Sequence, residues 1–143
     1  MSRGDSVSMR RILFVCIENS CRSQIAEAWA KNLGKDIVEA YSAGSKPSGV
    51  VNPMSVVVMG EVGIDISKNG SKGFDDLPVK SFDYAVTLGC GDKCPFVSAK
   101  DHVEWGIEDP KGKGLEGFRK TRDEIKEKVK ELIAKIIKEG KQI

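Results

Sequence analysis

A chain of 143 residues, 40% apolar and 31% charged, is long enough to bury a core in one domain and needs no second one. Its formal net charge of +2, with basic and acidic residues interleaved toward the C-terminus, excludes the one-signed footprint of a nucleic-acid binder. No apolar run approaches the roughly 20 residues that span a bilayer, so no membrane partner is expected. Met1 to Met9 lacks the apolar stretch of a signal peptide and reads as a disordered extension, leaving one folded domain over 10–143. A reducing cytoplasmic location follows as the expectation, in which the four cysteines are reactive or metal-bound, not structural disulfides.

In chain order, Ile12 to Val15 is a short continuous apolar run, as in a strand buried on both faces of a parallel sheet. A polar loop, Cys16 to Ser23, follows, and Ile25, Trp29 and Leu33 then recur at helical spacing up to a stop at Gly34. Ile37 to Ser42 reads as a second strand. Asn52-Pro53 opens a helix through Glu61, with Asn as cap and Pro at the first helical position, and Gly63 ends it. Asp83 to Leu88 is a third strand and Val103 to Trp105 a short fourth. Leu115, Phe118, Ile125, Val129, Leu132 and Ile136 mark a long amphipathic C-terminal helix. This alternation predicts an α/β fold, a doubly wound four-stranded parallel sheet with helices on both faces. In such sheets the ligand site lies beyond the carboxyl ends of the strands, where Cys16, Cys90 and Asp109 all fall in this reading.

The first loop carries the chemistry. A thiol at a strand end, above backbone N–H groups that run into a helix N-terminus, meets donors and a dipole that favour an anion and the thiolate alike. Arg22, six residues after Cys16, can curl back and offer its planar fork to a tetrahedral oxyanion. Ser23 can donate a hydroxyl hydrogen bond to the sulfur, and a lowered thiol pKa is expected. Asn19 tolerates the left-handed backbone such a cradle needs. Ile17, Glu18, Asn19, Ser20 and Cys21, with Arg22, are the candidate substrate-binding residues.

Cys16-Ile17-Glu18-Asn19-Ser20-Cys21-Arg22-Ser23 closely resembles the catalytic loop shared by low-molecular-weight tyrosine phosphatases and thioredoxin-coupled arsenate reductases. Tyr41-Ser42-Ala43-Gly44, Val62-Gly63-Ile64-Asp65-Ile66-Ser67 and Trp105-Gly106-Ile107-Glu108-Asp109-Pro110 are similar to further landmarks of that family. The resemblance implies the fold above, attack by Cys16 on a tetrahedral oxyanion, and no cofactor. Glu18 departs from it, since the family usually has glycine there. Asp109, fixed in extended backbone by Pro110, is the candidate acid for the leaving oxygen, and an anionic ligand beside it is expected to raise its pKa.

The two branches differ in how the covalent intermediate is resolved: a phosphatase uses water, whereas a reductase needs further thiols. Cys90 and Cys94 supply them after the third strand, and Lys111-Gly112 stands where phosphatases often carry two tyrosines. Both features favour arsenate reduction, with phosphate-monoester hydrolysis as the alternative. By resemblance, Cys90 attacks Cys16, Cys94 attacks Cys90, and thioredoxin or a similar dithiol donor restores the thiols; a monomer is expected. The C-x3-C spacing is tighter than the family's. A structural zinc site on the four cysteines is disfavoured, because Cys21 falls at a helix start beside the cationic Arg22. His102 is expected to be structural or exposed. Some reductases of this family hold a potassium ion near the loop with residues matching Asn19, Glu27 and Ser42. At the position of a further acidic residue this chain has Lys72, whose ammonium could take the ion's place.

Overall fold

Seven residues, Arg10–Cys16, form β1, the central strand of a sheet in which every pairing is parallel. The computed structural model describes residues 9–89 and 97–140. The remaining strands are β2 (Val38–Gly44), β3 (Ser81–Thr87) and β4 (Ser98–Glu104), in the order β2-β1-β3-β4. Chain order thus reverses direction at β1, and the crevice beyond its C-terminal end is the switch point where ligands bind in such sheets. The α-helices among the described residues are α1 (Arg22–Leu33), α2 (Pro53–Glu61) and α3 (Gly114–Gly140).

Alternating side chains of β1 divide the core. Ile12 and Phe14 face a large cluster with Ile25 and Trp29 of α1 and Ile125, Val129 and Leu132 of α3, while Leu13 and Val15 face a smaller one with Leu77 and Phe82. On the first face the α-helices lie over the sheet; on the second, the covering elements include the 3-10 turn Phe74–Asp76. Ile12, Leu13 and Phe14 have no exposed surface, and each contributes about 1.5–3 kcal/mol by burial. This anchors the strand that ends in Cys16.

The helix signals act as their chemistry requires. Asn52 caps α2, its side chain accepting from the Met54 N–H at 2.9 Å, and Pro53 is the first helical residue. Gly63, with φ of 85°, makes the turn out. The fourth strand is longer than Val103 to Trp105 suggests and starts at Ser98. It is an edge strand with mostly exposed residues, so Ser-Ala-Lys-Asp carries no apolar signal. Among the described residues no helix is long and apolar enough to cross a membrane.

Candidate active site

Cys16 is the last residue of β1 and is buried, and the chain turns from it straight into α1. Because the first turn of α1 holds no acidic residue, nothing on the helix offsets its positive N-terminal end. The turn is made at Asn19, which is fully buried and adopts φ of 51°, the left-handed region that Asn enters more readily than most residues. Packing against it is close. A Cβ on Gly44, at the end of β2, would collide with the Ile17 carbonyl and the Asn19 N–H, so only glycine lets β2 run under the loop.

A chain of hydrogen bonds orients the Cys16 sulfur. Asn19 Nδ2 donates to Ser23 Oγ at 2.8 Å, which leaves the Ser23 hydrogen for the Cys16 sulfur, itself 2.8 Å from that oxygen. Asn19 Oδ1 accepts in turn from Gln24 Nε2 at 2.8 Å and from the Lys72 backbone N–H at 2.7 Å. Gln24, fully buried, also donates to the Gly70 carbonyl at 3.0 Å and so ties α1 to the 70–72 loop. Ser71 Oγ donates to the Glu18 carbonyl at 2.7 Å. Both polar atoms of the Asn19 side chain are thereby partnered, as burial demands.

Beneath this lies Glu27, a buried carboxylate of α1. It accepts a short hydrogen bond from Ser42 Oγ, pairs with Lys31 at 2.7 Å, and has Lys72 Nζ at 3.6 Å. Asn19, Glu27, Ser42 and Lys72 thus meet in one cluster.

Arg22 is buried and bridges to the fourth strand's connection, Nη1 donating to the Ile107 carbonyl at 2.8 Å and Nη2 lying 3.7 Å from Asp109. Gly89, φ of 100°, passes so near that a Cβ there would strike Arg22 Nη1. The result is a cavity of about 100 Å3 lined by Cys16, Ile17, Glu18, Ser20, Cys21, Arg22, Asp109 and Lys111. Cys16, Ser20, Cys21 and Arg22 are its buried floor, whereas the Asp109, Glu18 and Lys111 side chains are 49%, 43% and 40% exposed and make its rim. Lys111 Nζ donates to the Glu18 carboxylate across that rim, and this contact raises the lysine's pKa. Burial pushes the Cys21 thiol up, against hydrogen bonds from Ser20 and Ser55 that lower it, so Cys21 is held as a neutral thiol.

The arrangement can hold a small tetrahedral oxyanion over a nucleophilic sulfur, with a guanidinium on one side and a carboxyl at the rim. Of the residues singled out in the sequence, the eight of the loop and Asp109 come together here. Cys90 and Cys94 lie outside the described residues. Among the described residues no group of three or more His, Cys, Asp or Glu side chains is placed to hold a metal ion. His102 sits on β4, its Nε2 2.8 Å from the Val97 carbonyl. Sequence reasoning did not reach Gln24 and Ser71 as parts of the site, nor the Ile107 carbonyl, and it read Gly89 as a source of loop freedom and not as the close neighbour of Arg22. Of these only Gly89, beside a strand end, carries a local signal.

Residues 11–142 match the family described as low molecular weight phosphotyrosine protein phosphatase. A glutaredoxin arsenate reductase from Synechocystis sp. is 42% identical over 131 residues, 90% of this chain and 99% of that one. A solved arsenate reductase in the phosphate binding state superposes with a TM-score of 0.81 at 42% identity, covering 90% of this chain and 99% of its own. A thioredoxin-dependent arsenate reductase from Corynebacterium glutamicum gives a TM-score of 0.74 at 30% identity, over 92% of this chain and 65% of that one. The chain belongs to the low molecular weight phosphotyrosine protein phosphatase family, in which it stands beside arsenate reductases.

Proposed function

We propose that this protein reduces arsenate to arsenite with Cys16 as nucleophile. The observation that carries the reading is the Cys16 sulfur on the floor of an oxyanion-sized cavity, 2.8 Å from the Ser23 hydroxyl, to which Asn19 in turn donates. Support also comes from relatives of 42% identity that are named arsenate reductases.

The thiolate of Cys16 attacks arsenic, a sulfur–arsenic bond forms, and one arsenate oxygen leaves as water after taking a proton from Asp109. Arg22 and the N-terminal end of α1 carry the negative charge. The thiolate of Cys90 then attacks the Cys16 sulfur. A disulfide forms, the sulfur–arsenic bond breaks, and its electron pair stays on arsenic, which leaves as arsenite. Cys94 attacks Cys90 and frees Cys16, and a dithiol donor of the thioredoxin or glutaredoxin kind reduces the Cys90–Cys94 disulfide. Two thiols are oxidised for each arsenic reduced, so the electrons balance.

Cys90→Ser should stop arsenite release, whereas Cys94→Ser should yield one arsenite per enzyme and stall as a Cys16–Cys90 disulfide. Non-reducing peptide mapping after one turnover reads the crosslink. Multiple-turnover reduction by the Cys94 variant with thioredoxin and with glutaredoxin would sink the three-cysteine relay. Hydrolysis of an aryl phosphate without arsenate-dependent donor oxidation would return the chain to phosphatase chemistry.

A further inference from the structure

The rim of the cavity holds a charge pair that the reaction above does not use. Glu18 is anchored through its backbone: its carbonyl accepts from Ser71 Oγ at 2.7 Å and from the Ser48 N–H at 3.1 Å, which leaves the side chain to reach outward. There it meets Lys111, two residues after Asp109 and held beside it by a bond from the Lys111 N–H to Asp109 Oδ1 at 3.1 Å. The pair therefore spans the opening, from the catalytic loop on one side to the Asp-Pro turn on the other. We propose that Glu18 and Lys111 form an electrostatic clasp over the cavity, which admits a free inorganic oxyanion and turns away a monoester of the same oxyanion.

Three observations carry this. A lone carboxylate on the rim would repel an incoming dianion, but paired with an ammonium it presents no net charge. Both side chains are about two-fifths exposed, and ion pairs at such exposure are weak, so the clasp opens readily on thermal timescales and is no barrier to a small ion. A free oxyanion then lies wholly below it. An ester carries its organic group out through the opening, so the clasp must stay broken for as long as the ester is bound, with Glu18 unpaired beside the phosphate. Among the described residues that line the cavity none is aromatic, so none offsets that cost by stacking on the organic group.

The inference rests on the oxyanion-site reading, and the experiment separates the two. Inorganic phosphate protection of Cys16 from iodoacetamide, mapped by peptide, gives an affinity that needs no turnover. Lys111→Met should raise the half-protecting concentration about fivefold by leaving Glu18 unbalanced, and Glu18→Gln should lower it by a similar factor. The double variant should return to within about twofold of wild type. In Glu18→Ala/Lys111→Ala, hydrolysis of p-nitrophenyl phosphate relative to phosphate affinity should rise about tenfold. Both side chains are exposed, and an unchanged melting temperature checks that each variant is folded. Absence of protection in the wild type would overturn the oxyanion site and the clasp together. Protection that is equal in all variants would overturn the clasp alone, and so would a phosphate response with no rise in ester hydrolysis.

Discussion

Two carboxylates, Glu27 below the cradle and Glu18 above it, are both paired with lysine, yet they live in opposite environments. Glu27 is 6% exposed and is held by Ser42, Lys31 and Lys72; Glu18, at the solvent edge, is held among the described residues by Lys111. Below, Asn19, Ser23 and Gln24 are fully buried, with Asn19 bonded to the other two, and breaking a member strands the others away from solvent. Above, the partners can separate into solvent at little cost. The difference teaches a division of labour: the buried side holds the Cys16 sulfur in one geometry, and the exposed side is where we propose that the rim opens and closes.

That contrast breaks most visibly at Asn19. Asn19→Ala leaves the Ser23 hydroxyl, Gln24 Nε2 and the Lys72 N–H short of a partner and puts alanine at φ of 51°, so the domain should lose about 2–4 kcal/mol of stability. Arsenate reduction should fall about a hundredfold, as when a preorganised donor is removed. Thermal melting and single-turnover assays check the two effects. A variant with wild-type stability and rate would mean that the buried network does not position Cys16.

A smaller effect is expected at Lys72. Its ammonium lies 3.6 Å from Glu27 and 3.3 Å from the Gly70 carbonyl, and we propose that it does there what a bound monovalent cation would do. Wild-type activity should therefore be indifferent to exchange of sodium for potassium. Lys72→Met should cost about 1–2 kcal/mol, less than the roughly 3–5 of stripping a buried charge entirely, since Lys31 remains. It should also make the rate rise with potassium. A strong potassium response in the wild type, or none in the variant, would remove Lys72 from this role.

How far the sequence reaches follows the same divide. The cradle was legible because its demands are local: an apolar strand, a loop opening a helix, a thiol and an arginine six residues apart, and an asparagine where the backbone turns left-handed. Glu18 was legible as a departure, but its partner was not, because Lys111 lies 93 residues away and reaches it only through the parallel alignment of β1, β3 and β4. Gln24 was hidden for a related reason. A polar residue in the first turn of a helix looks like a solvated one until the 70–72 loop folds over it. Only the end of β4, at Val103, carried enough apolar signal to read as a strand; its exposed start and the 3-10 turn carry too little apolar periodicity to announce themselves.

A third charge cluster tests whether exposure alone makes an ion pair dispensable. Glu61, at the end of α2, accepts from Arg119 Nε and Nη2 at 3.0 and 2.7 Å and from Arg122 Nη1 at 2.8 Å, joining α2 to α3. Hydrogen bonding from Arg119, more than any other cause, holds its carboxyl pKa down at about 2 from an ordinary 4.5. A carboxylate whose pKa is lower in the folded than in the unfolded chain adds stability that is fully present above the unfolded value and is lost as pH falls through the folded one. The gain should thus be complete above about pH 4.5 and disappear toward pH 2. Glu61→Gln should lower the melting temperature by a few degrees at neutral pH, and the gap from wild type should close on acidification through that window. A gap that stays constant down to pH 2.5 would assign the difference to packing, not charge. Full indifference at neutral pH would place Glu61 with the openable pairs of the rim, and would show that two arginines are not enough to make an exposed carboxylate hold two helices together.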